Sequence, residues 1–289
     1  MTEQTIPKQD SGRKLFYGLF IFPLLIAAGM AVLLCTVVLL TQESESPESL
    51  ITAIKTGTPS KRWQKAFELS NELNQGRGLL RTSGVMKEII HILNSRQEYD
   101  AKTRAYMAVA LTHFEEPEVV PALRAALAEE TEADVQVFLL WALGTLKAAE
   151  AEEQILAFLN DERADIRKMA AYVLGSLGSG QSVVPLSLLI EDTVRDVRWN
   201  AALSLARLGS DAGYQELLKM IDRRSLEAAG DLTPETVEEI MTSAVKGIAL
   251  LGRNDAVPVI ETLAADDVSL KVRQAAIESL KVLREGKKS

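Results

Sequence analysis

The stretch Asp165–Leu174, DIRKMAAYVL, and its echo Asp196–Leu205, DVRWNAALSL, decide the fold of this 289-residue chain. Each sets an apolar residue before an Arg, places Ala three and four residues later, and puts Leu seven residues later. On a helix those apolar positions fall within one sector. Reading outward finds the same pattern at KRWQKAFEL from Lys61, TRAYMAVAL from Thr103 and VQVFLLWAL from Val135. It recurs at IMTSAVKGI from Ile240 and VRQAAIESL from Val272. Measured at the second position (Arg62, Arg104, Gln136, Arg167, Arg198, Met241, Arg273), the steps are 42, 32, 31, 31, 43 and 32 residues. A fixed period in this range marks stacked supersecondary units.

Each such helix has a partner before it. Val119-Val120-Pro121, Val183-Val184-Pro185 and Ala256-Val257-Pro258 place Pro where a first helical turn accepts it. The pairs Leu177-Gly178, Leu208-Gly209 and Leu251-Gly252 close second helices. Aromatics are only 5% of residues, and strand-like alternation is absent. The expected fold is all-α: an α-solenoid of about seven helical-hairpin repeats preceded by one transmembrane helix. Of the two long steps, one is filled by a longer helix around Val85–Leu93. The other comes from an insertion at Arg223–Thr233, RRSLEAAGDLT, a second candidate interface.

Asp165-Ile166-Arg167-x-x-Ala170-Ala171, Asp196-Val197-Arg198-x-x-Ala201-Ala202 and the Val-Pro starts resemble the HEAT family. The likeness is to the short HEAT-like repeats first described in phycobilisome lyases, here in a membrane-anchored bacterial-type form. It covers roughly residues 47–286 and implies the fold. That superfamily hosts scaffolds, lyases and an oxygenase, so the resemblance does not choose a function. Gln136 and Met241 depart from the pattern, as do the units lacking Asp two residues before the Arg. The Arg position itself is expected to form an Asp–Arg ladder between units, with an anion site as the other reading.

Leu15–Leu40 is an uncharged run, LFYGLFIFPLLIAAGMAVLLCTVVLL. As a helix it would span ~39 Å against a hydrocarbon core of ~30 Å, with room for tilt or a kink at Pro23. A signal peptide's apolar region stops after about 7–15 residues, whereas this one continues past Gly29-Met30-Ala31, so retention is expected. Lys8, Arg13 and Lys14 precede the run and only Lys55 follows closely. That asymmetry places the N-terminus in the cytoplasm and the repeats outside it, in a periplasm-like compartment. The expected divisions are a tail over 1–14, a membrane helix over 15–41, a linker over 42–46 and the repeat domain over 47–289. Cys35, the sole cysteine, lies within the span, so no disulfide is expected. Beyond residue 41 the chain carries 38 acidic and 29 basic residues. Binding to nucleic acid is therefore disfavoured, since it needs a basic track.

Seven aligned copies allow each helical face to be read in turn. Val or Ile before the Arg position, Ala or apolar residues three and four after it, and Leu or Ile seven after it form the core. Nearly opposite, the fifth position reads Phe67, Val109, Trp141, Tyr172, Leu203, Lys246, Glu278. One turn earlier, the first position reads Trp63, Ala105, Val137, Lys168, Trp199, Thr242, Gln274. Two readings stand for these rings: an apolar binding band on the concave face, or packing between adjacent second helices. The expected partner site is Trp63, Phe67, Val137, Trp141, Tyr172, Trp199 and Leu203, and full burial of Trp141 and Trp199 would remove its best anchors.

The only histidines, His91 and His113, are each followed by an apolar residue rather than Glu. The His-Glu pairs of a HEAT-repeat deoxyhypusine hydroxylase are thus missing. Catalytic residues, cofactors and metals are all expected to be none. The function expected is a membrane-anchored scaffold for a membrane-associated protein or peptide. The alternative is a phycobilin-lyase-like enzyme, or a chaperone acting on a protein-bound cofactor.

Overall fold

The computed structural model describes residues 17–41, 46–75 and 81–285. It divides into two units, Met1–Ser46 and Pro47–Ser289. In the first, a π-helical turn at Tyr17–Ile21 leads into α1 (Phe22–Thr41). Pro23 is the second residue of α1. It stands just after the π-helical turn, and with no N–H it cannot donate to that turn. Leu19–Val37 is 19 residues long, free of charge and exposed, long and apolar enough to cross a membrane. A signal sequence near an N-terminus has the same character. The tail expected over 1–14 and the linker from 42 to 45 lie outside the described residues.

The second unit is a series of helical hairpins. They pair α2 (Pro47–Thr56) with α3 (Pro59–Asn74), α4 (Ser83–Asn94) with α5 (Ala101–Leu111), and α6 (Val119–Glu129) with α7 (Ala133–Thr145). Next come α8 (Glu152–Ala157) with α9 (Ala164–Leu177), and α10 (Val183–Leu188) with α11 (Arg195–Arg207). The sixth pair is α12 (Tyr214–Met220) with α14 (Pro234–Leu250), the short α13 (Arg223–Ala228) lying between them. The seventh is α15 (Val257–Asp266) with α16 (Leu270–Glu285). All seven expected units are present, and no strand occurs among the described residues. Gly178, Gly209 and Gly252 adopt φ of +79°, +73° and +67° after their helices, a conformation that is costly for a residue with a Cβ.

The core follows the repeat. Leu69, Leu111, Leu143, Leu174, Leu205, Ile248 and Leu280 are all buried, each contributing about 1.5–3 kcal/mol of transfer free energy. Ala66, Ala108, Ala171 and Ala202 are fully buried, so second helices stack directly on one another. The buried residues form two clusters that meet on α11. Val197, Ala201 and Leu205 belong to one, and Trp199, Ala202 and Ala206 to the other.

The expected Asp–Arg ladder between units exists, but with a different Asp. Asp165 and Asp196 do not pair with Arg167 and Arg198. Asp165 meets Lys168 at 3.2 Å, and Asp196 stands 3.9 Å from Arg195. Arg167 instead donates to both oxygens of Asp192 in the next unit, at 2.7 and 2.9 Å, and to the carbonyl of Asp161 at 2.8 Å. The rule is a carboxylate six residues before the Arg position, because those six residues place it at the turn facing the preceding unit. Arg104 to Glu130 follows the same rule and is buried. Arg198 bonds the carbonyl of Asp192 at 2.8 Å and Glu216 at 3.3 Å.

Where the ladder lacks its Arg, a neighbour supplies one. Gln136 donates to the carbonyl of Glu130, and Arg163 from the next unit donates to Gln136 while pairing with Asp161. Met241 has no charge, and Arg223 of α13 takes its role. It holds Asp267 through two hydrogen bonds of 3.0 and 2.8 Å. The insertion is pinned a second time where Arg195 binds Asp231 at 3.2 and 2.9 Å, and Leu226 is buried. Arg223–Thr233 is thus built into the stack.

These pairs have an acid signature. The hydrogen bonds from Arg167 hold the Asp192 carboxyl below its ordinary range. Burial pushes Glu130 up, but the amides of Glu132 and Thr131 and the Arg104 guanidinium outweigh it and hold it low. A depressed folded pKa stabilises above the unfolded value and is lost as pH falls through the folded one. The melting temperature is expected to hold from neutrality to about pH 5 and to fall below about pH 4. Asp192→Asn should lower the neutral value and shallow the acid limb; an unchanged acid limb would rule out Asp192 as a contributor.

Candidate protein-binding groove

Four second helices, α3, α5, α7 and α9, open a groove of about 360 Å³. It is lined by Phe67, Ser70, Asn71, Tyr106, Val109, Val137, Phe138, Trp141 and Met169, none of them charged. The ring of Phe67 meets Tyr106 edge-on with centroids 5.3 Å apart, and Tyr106 meets Phe138 at 6.2 Å. The first contact is edge-on and the second tilted at 49°, both inclined arrangements that quadrupolar rings favour over a face-to-face sandwich. Neighbouring second helices present their outward positions in parallel, so the row of rings continues from one unit to the next.

The sequence-derived residues divide four ways. Phe67, Val137 and Trp141 line the groove; Phe67 is 46% exposed, and Val137 and Trp141 are half-buried. Trp63 and Tyr172 sit one turn from the lining residues on α3 and α9. The ammonium of Lys102 lies 3.4 Å from the Trp63 ring centroid, and Arg207 stands 5.2 Å from that of Tyr172, which is 40% exposed. Trp199 is a correction: at 8% exposure it is buried in the second cluster, under the Arg195 guanidinium at 4.8 Å. Leu203 is half-buried and faces Gly247 of α14, whose added Cβ would lie 3.4 Å from Leu203 Cδ2.

The first-position column explains the misreading of Trp199. Around α11 that position is covered by the second cluster, whereas Val137 of the same column lines the groove. Ala105 in that column is buried too. Tyr106, Phe138 and Met169, which the sequence reading passed over, all stand two residues after the Arg position. At 100° per residue that position lies about 60° from the fifth, on the flank of the outward face. Aligning that one further column would have revealed them.

Toward the other end of the unit the surface changes character. A larger pocket of about 720 Å³ between α14 and α16 is lined by Glu239, Thr242, Ser243, Lys246, Leu270, Lys271, Gln274, Ala275 and Glu278. The apolar band thus gives way to charge in the last two units, as the columns imply. His113 borders a separate polar pocket with Arg81, and burial, aided by that Arg, lowers its pKa. Among the described residues no group of three or more His, Cys, Asp or Glu is placed to hold a metal ion.

Residues 125–187 and 152–229 match the family model for HEAT repeats. The fold is similar to that in the complex of CpcE and CpcF of phycocyanin lyase from Nostoc sp. PCC7120. The two share 16% identity over 83% of this chain and 94% of that one, with a TM-score of 0.55. An engineered protein matches at 20% identity over 83% of this chain and 97% of its own, with a TM-score of 0.43. Human deoxyhypusine hydroxylase in complex with glycerol matches at 13% identity, over 83% of this chain and 84% of its own, with a TM-score of 0.36. No curated protein sequence matches.

Proposed function

We propose that this HEAT-repeat chain is a membrane-anchored scaffold without chemistry of its own, which holds an apolar segment of another protein across α3, α5, α7 and α9. The observation that carries the reading is the uncharged aromatic groove with half-exposed rings, since contiguous exposed apolar surface marks an interaction site. The similar solved structure is itself a complex of two proteins, which accords with it. The apolar α1, preceded in sequence by Lys8, Arg13 and Lys14, supports a single-pass anchor with its N-terminus in the cytoplasm and the repeats on the far side.

Magnitudes explain why an anchor would accompany the groove. Five apolar anchors at about 2 kcal/mol each give ~10 kcal/mol gross, against an association cost of ~4–15 kcal/mol. Such a site reaches micromolar affinity at best. Tethering groove and partner to one membrane raises their effective concentration without new contacts.

The test is one strain carrying the full chain with alkaline phosphatase fused after Ser289, captured from solubilised membranes. The wild type should retain a stoichiometric protein, and Phe67→Asp with Trp141→Asp should lose it by about tenfold or more while melting normally. Active phosphatase places the repeats outside the cytoplasm; silence reverses the orientation. Retention by the double variant, or turnover of a bilin by the purified chain, would overturn the scaffold reading.

A further inference from the structure

We propose that the groove selects a partner segment whose apolar stretch carries a carboxylate toward each end, an inference that rests on the binding reading above. Two cations stand beside the lining residues, each over a ring of the outward columns. Lys102 on α5 stands one turn before Tyr106, and Arg207 closes α11 beyond Met169 and Tyr172. Both side chains are exposed, and each lies over a ring, Trp63 and Tyr172 respectively. Among the described residues neither forms an ion pair.

Their neighbours do. Lys65 pairs with Glu68, Lys168 with Asp165, Arg163 with Asp161 and Arg195 with Asp231. Lys102 and Arg207, set beside the groove, thus keep their charge available. A ring beneath each one fixes its position and leaves the opposite side open to a carboxylate. No carboxylate lines the groove to compete.

The wider field sharpens the choice. With 38 acidic against 29 basic residues beyond residue 41, the domain repels acidic partners in general. A partner gains only if its carboxylates land on these two points and its apolar residues fill the space between them. Attraction at two positions set against repulsion elsewhere is a specificity device. Three helix-to-helix steps of ~8–10 Å separate α5 from α11, about 24–30 Å in all. At ~3.3 Å per residue that is about seven to nine residues of extended chain.

The experiment uses the full chain in lipid nanodiscs, titrated by fluorescence anisotropy with two synthetic peptides. Both share one apolar core of about nine residues; one has Glu at each end and the other Lys. The wild type should bind the Glu-ended peptide about tenfold more tightly, ~1.4 kcal/mol. Lys102→Glu with Arg207→Glu should invert the order. Both positions are exposed, and Lys102→Gln with Arg207→Gln, which should abolish the preference, guards against misfolding. Equal binding of both peptides by the wild type overturns the charge proposal and leaves the groove standing. Binding of neither overturns the groove reading with it, and a preference retained by the Glu variant removes the assignment to these two residues.

Discussion

Arg223→Ala is expected to cost about 3 kcal/mol of stability, because it leaves the Asp267 carboxylate buried without its guanidinium. The side chain of Asp267 is only 3% exposed, and both of its oxygens accept from Arg223. Breaking a buried pair by removing one partner costs about 3–5 kcal/mol. The lower end applies because the amide of Ser269 still donates to Asp267 at 2.8 Å. For a domain of this size that corresponds to a fall of about 6–12 °C in melting temperature, readable by calorimetry on the full chain in micelles. A second substitution tests the logic of the ladder itself. Met241 occupies the position that is Arg in five units, and in two of them Arg104 and Arg167 reach the carboxylate six residues before the next such position, the place Asp267 holds. Met241→Arg in the Arg223→Ala background should therefore recover about half of the loss. A single variant within ~0.5 kcal/mol of wild type, or a double variant less stable than the single, would refute the substitution of one Arg for the other.

Gly175→Ala is the second large effect, although alanine is the better helix former by ~1 kcal/mol. A Cβ at Gly175 would stand 2.4 Å from Cβ and Oγ of Ser204 and 2.7 Å from its Cα. Backbone cannot yield as a flexible side chain does, so α9 and α11 must separate. Overpacking of this kind costs about 1–3 kcal/mol and occasionally more, and a net loss of ~2 kcal/mol is expected. Adding Ser204→Gly should recover about half, since it removes two of the three close atoms. The same change at Gly84, whose Cβ would approach nothing nearer than Thr82 Oγ1 at 3.8 Å, should be neutral or slightly stabilising. Separation of α9 from α11 would also displace Met169 at the edge of the groove. Gly175→Ala should then weaken partner capture without touching a lining residue. Unaltered stability in Gly175→Ala would show that the two helices are less tightly apposed than 2.4 Å implies.

Much of the architecture was legible because each position could be read seven times. A single Leu174 says little, whereas Leu at that place in six units and Ile in the other identifies a core column. The same averaging placed the apolar-to-polar gradient, with Trp141 and Phe67 at one end and Lys246 and Glu278 at the other. Periodicity failed where neighbours mattered. It tied the ladder between units to Asp165 and Asp196 because they recur in register with Arg167 and Arg198, yet Asp165 is exposed on its own helix and meets Lys168. Asp192, the true partner, lies 25 residues away in sequence. Trp199 was misplaced for a related reason: an angle around one helix does not say where the next helix stands.

The order of helices, their seven-fold repetition, the identity of the core and an apolar segment able to span a bilayer are set by local spacing alone. Burial in one helix depends on a period of 3.6 residues that the chain carries in itself. Which outward rings meet solvent, which carboxylate answers each Arg, and why the Arg223–Thr233 segment exists were decided only when the hairpins stacked. Those outcomes depend on distances between units, and helix periodicity contains no such distance.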